Sequence, residues 1–131
     1  MLPASVAFES LAARLGRDLR TRFPAIEVAV HRSEDGMVCE VIDGGQAWGA
    51  ITLVEDEADA FSHAEVEAFI ASVVTNVTDN LWPDELTDPW PLCPAHGDHP
   101  LQPALVGGQA VWRCLRGGPV VPVGELSAGG A

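Results

Sequence analysis

The chain has no lysine and no tyrosine, and across residues 33–100 it has no arginine either. Its seven cations are all arginines and face 19 acids, for a formal net charge of −12. The imbalance is local. Residues 1–32 carry five arginines against Glu9, Asp18 and Glu27; residues 33–100 carry fifteen acids and no arginine; residues 101–131 carry Arg113 and Arg116 against Glu125. A surface of that sign is repelled by nucleic-acid phosphates and anionic lipid headgroups, which argues against direct nucleic-acid or membrane binding. It admits a basic protein partner, and it also serves simply to keep a small domain in solution.

Long hydrophobic runs are missing too. No stretch approaches the roughly eighteen apolar residues of a membrane span. The N-terminal segment places its arginines after its apolar residues, the reverse of a signal peptide. The expected location is the cytoplasm. Only three cysteines occur in 131 residues, too few for a disulfide framework in a reducing compartment. Cys39, within Met37–Ile42, reads as a small core residue. A chain of this length buries a core without cross-links.

What is present has clear periodicity. From Ser5 to Arg22 the residues Phe8, Leu11, Leu15 and Leu19 recur at helical spacing, and Pro24 is expected to end that helix. Residues 26–31, 36–43 and 48–54 read as strands joined by turns at 33–36 and 43–46, an antiparallel meander. An acidic loop (55–61) follows. Ser62 and Glu65 then have the form of a capping box, opening a helix whose stripe is Val66, Phe69, Ile70, Val73, Val77 and Leu81, with Pro83 as its stop. The expected fold is α+β: an α-β-β-β-α two-layer sandwich over residues 1–82, with both helices on one face of the meander. The expected core is Leu11, Leu15, Leu19, Val28, Val30, Val41, Ile51, Leu53, Phe69, Ile70, Val73 and Val77.

Residues 82–103 hold six prolines in twenty-two positions, too many for a regular helix or a central strand. We therefore assign 83–126 as a proline-rich connector leading into a β-hairpin across Gly107-Gly108 and a last short strand, and 127–131 as a frayed tail. Within it, Cys93, His96, His99 and Cys114 bring four soft-metal donors into twenty-two residues. Cys93-Pro94 and His96-Gly97 match the form of a zinc knuckle, and Cys114 opens a second glycine-bearing turn. Two knuckles around a hairpin resemble a zinc ribbon, over about residues 90–124. The second knuckle departs from that pattern, with Gly117 where a cysteine would stand, and His99 takes the vacant ligand place. The candidate is a closed Cys₂His₂ zinc site.

Other readings of these four residues stay open. His96 and His99 are equally loop histidines beside a buried pair of thiols. A three-ligand site with water in the fourth position, and Asp98 or Glu85 as base, describes a zinc-dependent hydrolase. No HExxH, nucleotide-binding glycine loop or nucleophilic triad accompanies the cluster. Trp48, Trp82, Trp90 and Trp112 serve either to pack the hairpin onto the rest or as interface anchors. The function expected from the sequence is a non-enzymatic protein-binding or adaptor module with a structural zinc ion. The alternatives are an acidic chaperone or inhibitor that takes a basic client, and the hydrolase.

Overall fold

The computed structural model describes residues 2–34, 36–53, 60–82 and 90–126. The expected acidic loop with Glu55, Asp56, Glu57 and Asp59, the connector residue Glu85, the side chain of Leu53 and the tail at 127–131 lie outside the described residues.

A two-residue strand β1 (Leu2–Pro3) leads into helix α1 (Ala4–Leu19). Strands β2 (Ile26–Ser33), β3 (Gly36–Asp43) and β4 (Gln46–Leu53) form the antiparallel meander in the order β2-β3-β4. Strand β5 (Ala60–Phe61) pairs back to β1, a contact that local periodicity does not reveal. Helix α2 (His63–Asn80) follows. Strands β6 (Gln102–Val106), β7 (Gln109–Arg113) and β8 (Val120–Pro122) form a second antiparallel sheet in sequence order. The class is mixed α+β.

Helix α1 ends three residues earlier than expected, at Leu19. The chain turns there because the N–H groups of Arg22 and Phe23 both donate to the Leu19 carbonyl, at 3.0 and 2.8 Å. That turn points Phe23 inward, edge-on to Trp48 with ring centroids 5.0 Å apart. Helix α2 begins as expected. The Ser62 hydroxyl accepts from the Glu65 N–H at 3.1 Å, and the Glu65 carboxylate accepts from the Ser62 N–H at 3.0 Å. The box satisfies two of the N–H groups that a helix start leaves without partners.

Buried side chains from both helices and both sheets form a single core. Leu11, Leu15, Leu19, Val41, Ile70, Val73 and Val77 are in it, while Val28, Val30, Ile51 and Phe69 pack half-buried at its margin. Each fully buried leucine contributes about 1.5–3 kcal/mol relative to exposure. Helix α1 lies along β2, and the two helices touch. Helix α2 makes its nearest approach to β6 and β7 rather than to the meander. Its Glu67 carboxylate accepts from the Ala110 N–H of β7 at 3.1 Å, tying the helix to the second sheet. No helix among the described residues is long and apolar enough to cross a membrane.

Candidate metal centre

The cluster begins with a loop that folds on itself. Residues 91–101 close through a Leu92–Pro100 bridge, with the Leu101 N–H donating to Pro91 O at 2.6 Å and the Cys93 N–H to His99 O at 3.0 Å. The Gly97 N–H donates to Cys93 O at 2.8 Å, completing the first turn. The second forms at the end of β7, where the Gly117 N–H donates to Cys114 O at 3.3 Å and the Cys114 N–H to Pro119 O at 3.1 Å. Both turns place their glycine at positive φ, 72° for Gly97 and 81° for Gly117, a conformation that side-chain-bearing residues rarely adopt.

These two turns bring Cys93, His96, His99 and Cys114 together, with one donor atom from each lying within 4.8 Å of all the others. His96 Nδ1 is 3.3 Å from Cys93 Sγ, 3.3 Å from Cys114 Sγ and 3.1 Å from His99 Nε2, and Cys114 Sγ is 3.5 Å from His99 Nε2. Zinc–nitrogen bonds of about 2.0–2.1 Å and zinc–sulfur bonds of about 2.3 Å give a tetrahedron with edges of about 3.3–3.8 Å. A ring nitrogen has one hydrogen or one lone pair to offer, so His96 Nδ1 cannot satisfy three such neighbours by hydrogen bonding. A shared cation can. The four residues lie close enough to hold a metal ion, and the donor set is compatible with zinc.

The surroundings orient the donors. His99 Nδ1 is 2.9 Å from the Pro100 carbonyl, which can only accept, so Nδ1 is the donor there and Nε2 is the atom turned to the cluster. Burial pushes the Cys114 thiol up, but the N–H groups of Arg116 and Gly118 and the Cys93 thiol outweigh it and leave Cys114 below its ordinary value. Gly118 is held to hydrogen by its neighbours. A Cβ there would lie 2.9 Å from Cys114 Sγ and 3.3 Å from His96 Cε1. The cysteines are buried, His99 is half-buried and His96 is exposed. Across the outside, Arg116 Nη1 donates to both oxygens of Asp98 at 3.1 and 3.2 Å, strapping one turn to the other.

Behind the cluster runs a line of aromatic rings. Trp90, three residues before Cys93, meets Trp112, two residues before Cys114, edge-on at 5.3 Å. Trp90 also stacks on Trp82 at 5.4 Å, and Trp82 meets Trp48 of β4 at 5.4 Å. All four tryptophans thus join the second sheet to the meander. Trp112 is fully buried, and its Nε1–H donates to Asp18 Oδ2 at 2.7 Å.

Asp18 had no role in the sequence reading beyond its charge. It is fully buried and also accepts from the N–H groups of Gly124 at 2.6 Å and Leu126 at 3.1 Å. Burial pushes its carboxyl above the ordinary value, against the opposing pull of those donors. The sequence did hold a signal, since Asp18 falls three residues after Leu15 and seven after Leu11, on the apolar stripe of α1. Arg14 is the other unforeseen tie. Its guanidinium pairs with Glu67 at 2.6 and 3.0 Å and donates through Nε to Val123 O at 2.8 Å. An open cleft of about 860 Å³ beside this pair is lined in part by Arg17, His63, Gln109 and Glu125. Cys39 stays apart in β3 as a buried thiol whose burial pushes it up to about 11.

No family model, no curated protein and no solved structure matches the chain.

Proposed function

We propose that the chain is a non-enzymatic protein-binding module whose C-terminal half is held by one structural zinc ion in a ribbon-like arrangement. The observation that carries this is the convergence of four protein donors, Cys93, His96 and His99 from the first turn and Cys114 from the second, within 4.8 Å of one another. Four side-chain donors fill a tetrahedral zinc ion, whereas a hydrolytic centre keeps a position for water. Asp98, the base considered in the hydrolase alternative, is already engaged by Arg116. The three cysteines are free thiols, which suits a reducing compartment such as the cytoplasm.

Cobalt substitution tests the reading. A closed S₂N₂ site gives intense tetrahedral ligand-field bands and thiolate charge-transfer bands, both lost in Cys93→Ser. Weak bands typical of five or six ligands, or an azide-sensitive spectrum, support an open site and the hydrolase.

A further inference from the structure

The two three-stranded sheets expose four edge strands, and these are protected to different degrees. β2 carries Glu27, His31 and Arg32. β6 contains Pro103, which has no N–H to offer, and β8 is three residues long and ends in Pro122. β4 lacks charge and proline, and its bulge at Trp48 interrupts only the first part of the strand. It is eight residues long, Gln46–Leu53, with no charged residue and no proline. Its ladder is to β3 alone, and no residue of β4 has a further backbone partner among the described residues. The register steps from Val41–Gly49 to Ile42–Ala47, so Trp48 is an extra, bulged residue on β4 itself, and the regular stretch of this edge is Gly49 to Leu53. Gln46, Ala47, Ala50 and Thr52 are exposed.

A sheet edge is a row of open N–H and C=O groups, and proteins usually blunt it with charge, proline, a bulge or a cover. A regular, uncharged stretch of edge such as Gly49 to Leu53 is where an extended segment adds a strand through main-chain hydrogen bonds. Charge selects the occupant. Glu40 stands opposite Ala50, and Asp43 opposite Gln46, in the strand behind β4. A side chain of an added strand across from Ala50 would be two strand spacings, about 9–10 Å, from Glu40. That is within the Debye length of about 10 Å at 0.1 M salt. A second copy of the chain would bring the same acids and a net charge of −12 to the contact. A basic segment would bring the complement.

We propose that β4 is the docking edge for an extended segment of a basic protein partner, in which apolar or β-branched residues alternate with arginine or lysine. The inference rests on the reading of the chain as a protein-binding module and specifies its surface. It is independent of metal content, so a failed zinc assignment and a failed docking edge give different results.

The test uses the full chain in its zinc-loaded form and a short synthetic peptide in which valine alternates with arginine, read by amide hydrogen exchange. Alternate amides within 49–53 are expected to slow by about tenfold or more at saturation, and the affinity to fall by about tenfold between low and high salt. The double substitution Ala50→Lys, Thr52→Lys places the usual edge-blocking residue on two exposed positions and is expected to abolish binding with the other amides unchanged. A glutamate version of the peptide serves as a second probe that needs no protein variant, and it is expected not to bind. Protection confined to 102–126, equal binding of the glutamate peptide, no protection at millimolar peptide, or protection of 49–53 that appears only as protein concentration rises would each overturn the proposal. The last result would make the edge a contact between copies.

Discussion

The two sheets are alike in strand number and antiparallel order, but they are fixed in place by different forces. The meander turns apolar side chains inward, Ile26, Cys39 and Val41 fully and Val28, Val30 and Ile51 in part, and area holds it to the helices. The second sheet buries Ala110, Val111 and Trp112 as well, but it is tied in addition by polar groups. Arg14 and Glu67 fasten it to both helices, Asp18 collects donors from Trp112, Gly124 and Leu126, and the Cys/His cluster pins its end. Apolar area is non-directional and tolerates small shifts. Buried polar ties are directional, and losing one partner leaves the other unsatisfied at a cost of about 1–3 kcal/mol. The meander should therefore fail gradually under substitution, and the second sheet abruptly.

The largest expected effect is that of removing the zinc ion proposed for the cluster. Structural zinc in small domains supplies apparent binding energies of about 10–16 kcal/mol, far more than any single side chain here. Cys93→Ser, or chelation of the wild type, should release protection in residues 90–126 while the 26–53 amides stay protected. Uniform loss of protection across both sheets would show that the division between them is false.

Asp18 comes next. In Asp18→Asn the new amide must turn its NH₂ toward at least one of the three buried N–H donors, at a cost of about 1–3 kcal/mol. The pH dependence has a definite sign. The folded carboxyl lies above its ordinary value of 3.8 because burial outweighs the donors. Its contribution is therefore fully present below about pH 3.8 and is lost as pH rises through the folded value. The margin of wild type over Asp18→Asn, read from urea midpoints, should shrink from acid toward neutral pH. A margin that grows instead would mean that the N–H donors outweigh burial.

Gly118→Ala sharpens the comparison at the cluster. Its new methyl meets Cys114 and His96, so zinc affinity should fall by about ten- to a hundredfold, as for other residues that position metal ligands. The meander should not respond. The smallest effect belongs to Arg116→Ala. The Arg116–Asp98 pair has side chains 54% and 62% exposed, and exposed pairs of this kind contribute little. The unfolding midpoint should be unchanged within error.

Legibility from sequence follows the same division. The meander, its turns and the α2 capping box depend on neighbours within a few residues, and periodicity and turn chemistry expose them. The four donors could be picked out because Cys and His are rare and closely spaced. The ties that hold the second sheet join residues 43 to 109 positions apart, such as Glu67 to Ala110 and Arg14 to Val123. No local pattern reports such pairs. Asp18 was the exception, since an acid on an apolar stripe needs buried donors, though the stripe alone could not name Trp112 or Gly124. The position of α2 against β6 and β7 was hidden for the same reason: a helical stripe shows that a face is buried, not which sheet covers it.

Native mass spectrometry of the purified chain, with elemental analysis of the same sample, tests the central claim most directly. One zinc ion per chain is expected, held by wild type and lost from both Cys93→Ser and Cys114→Ser. A wild-type chain that remains metal-free in the presence of zinc, or one whose zinc survives both substitutions, would contradict it.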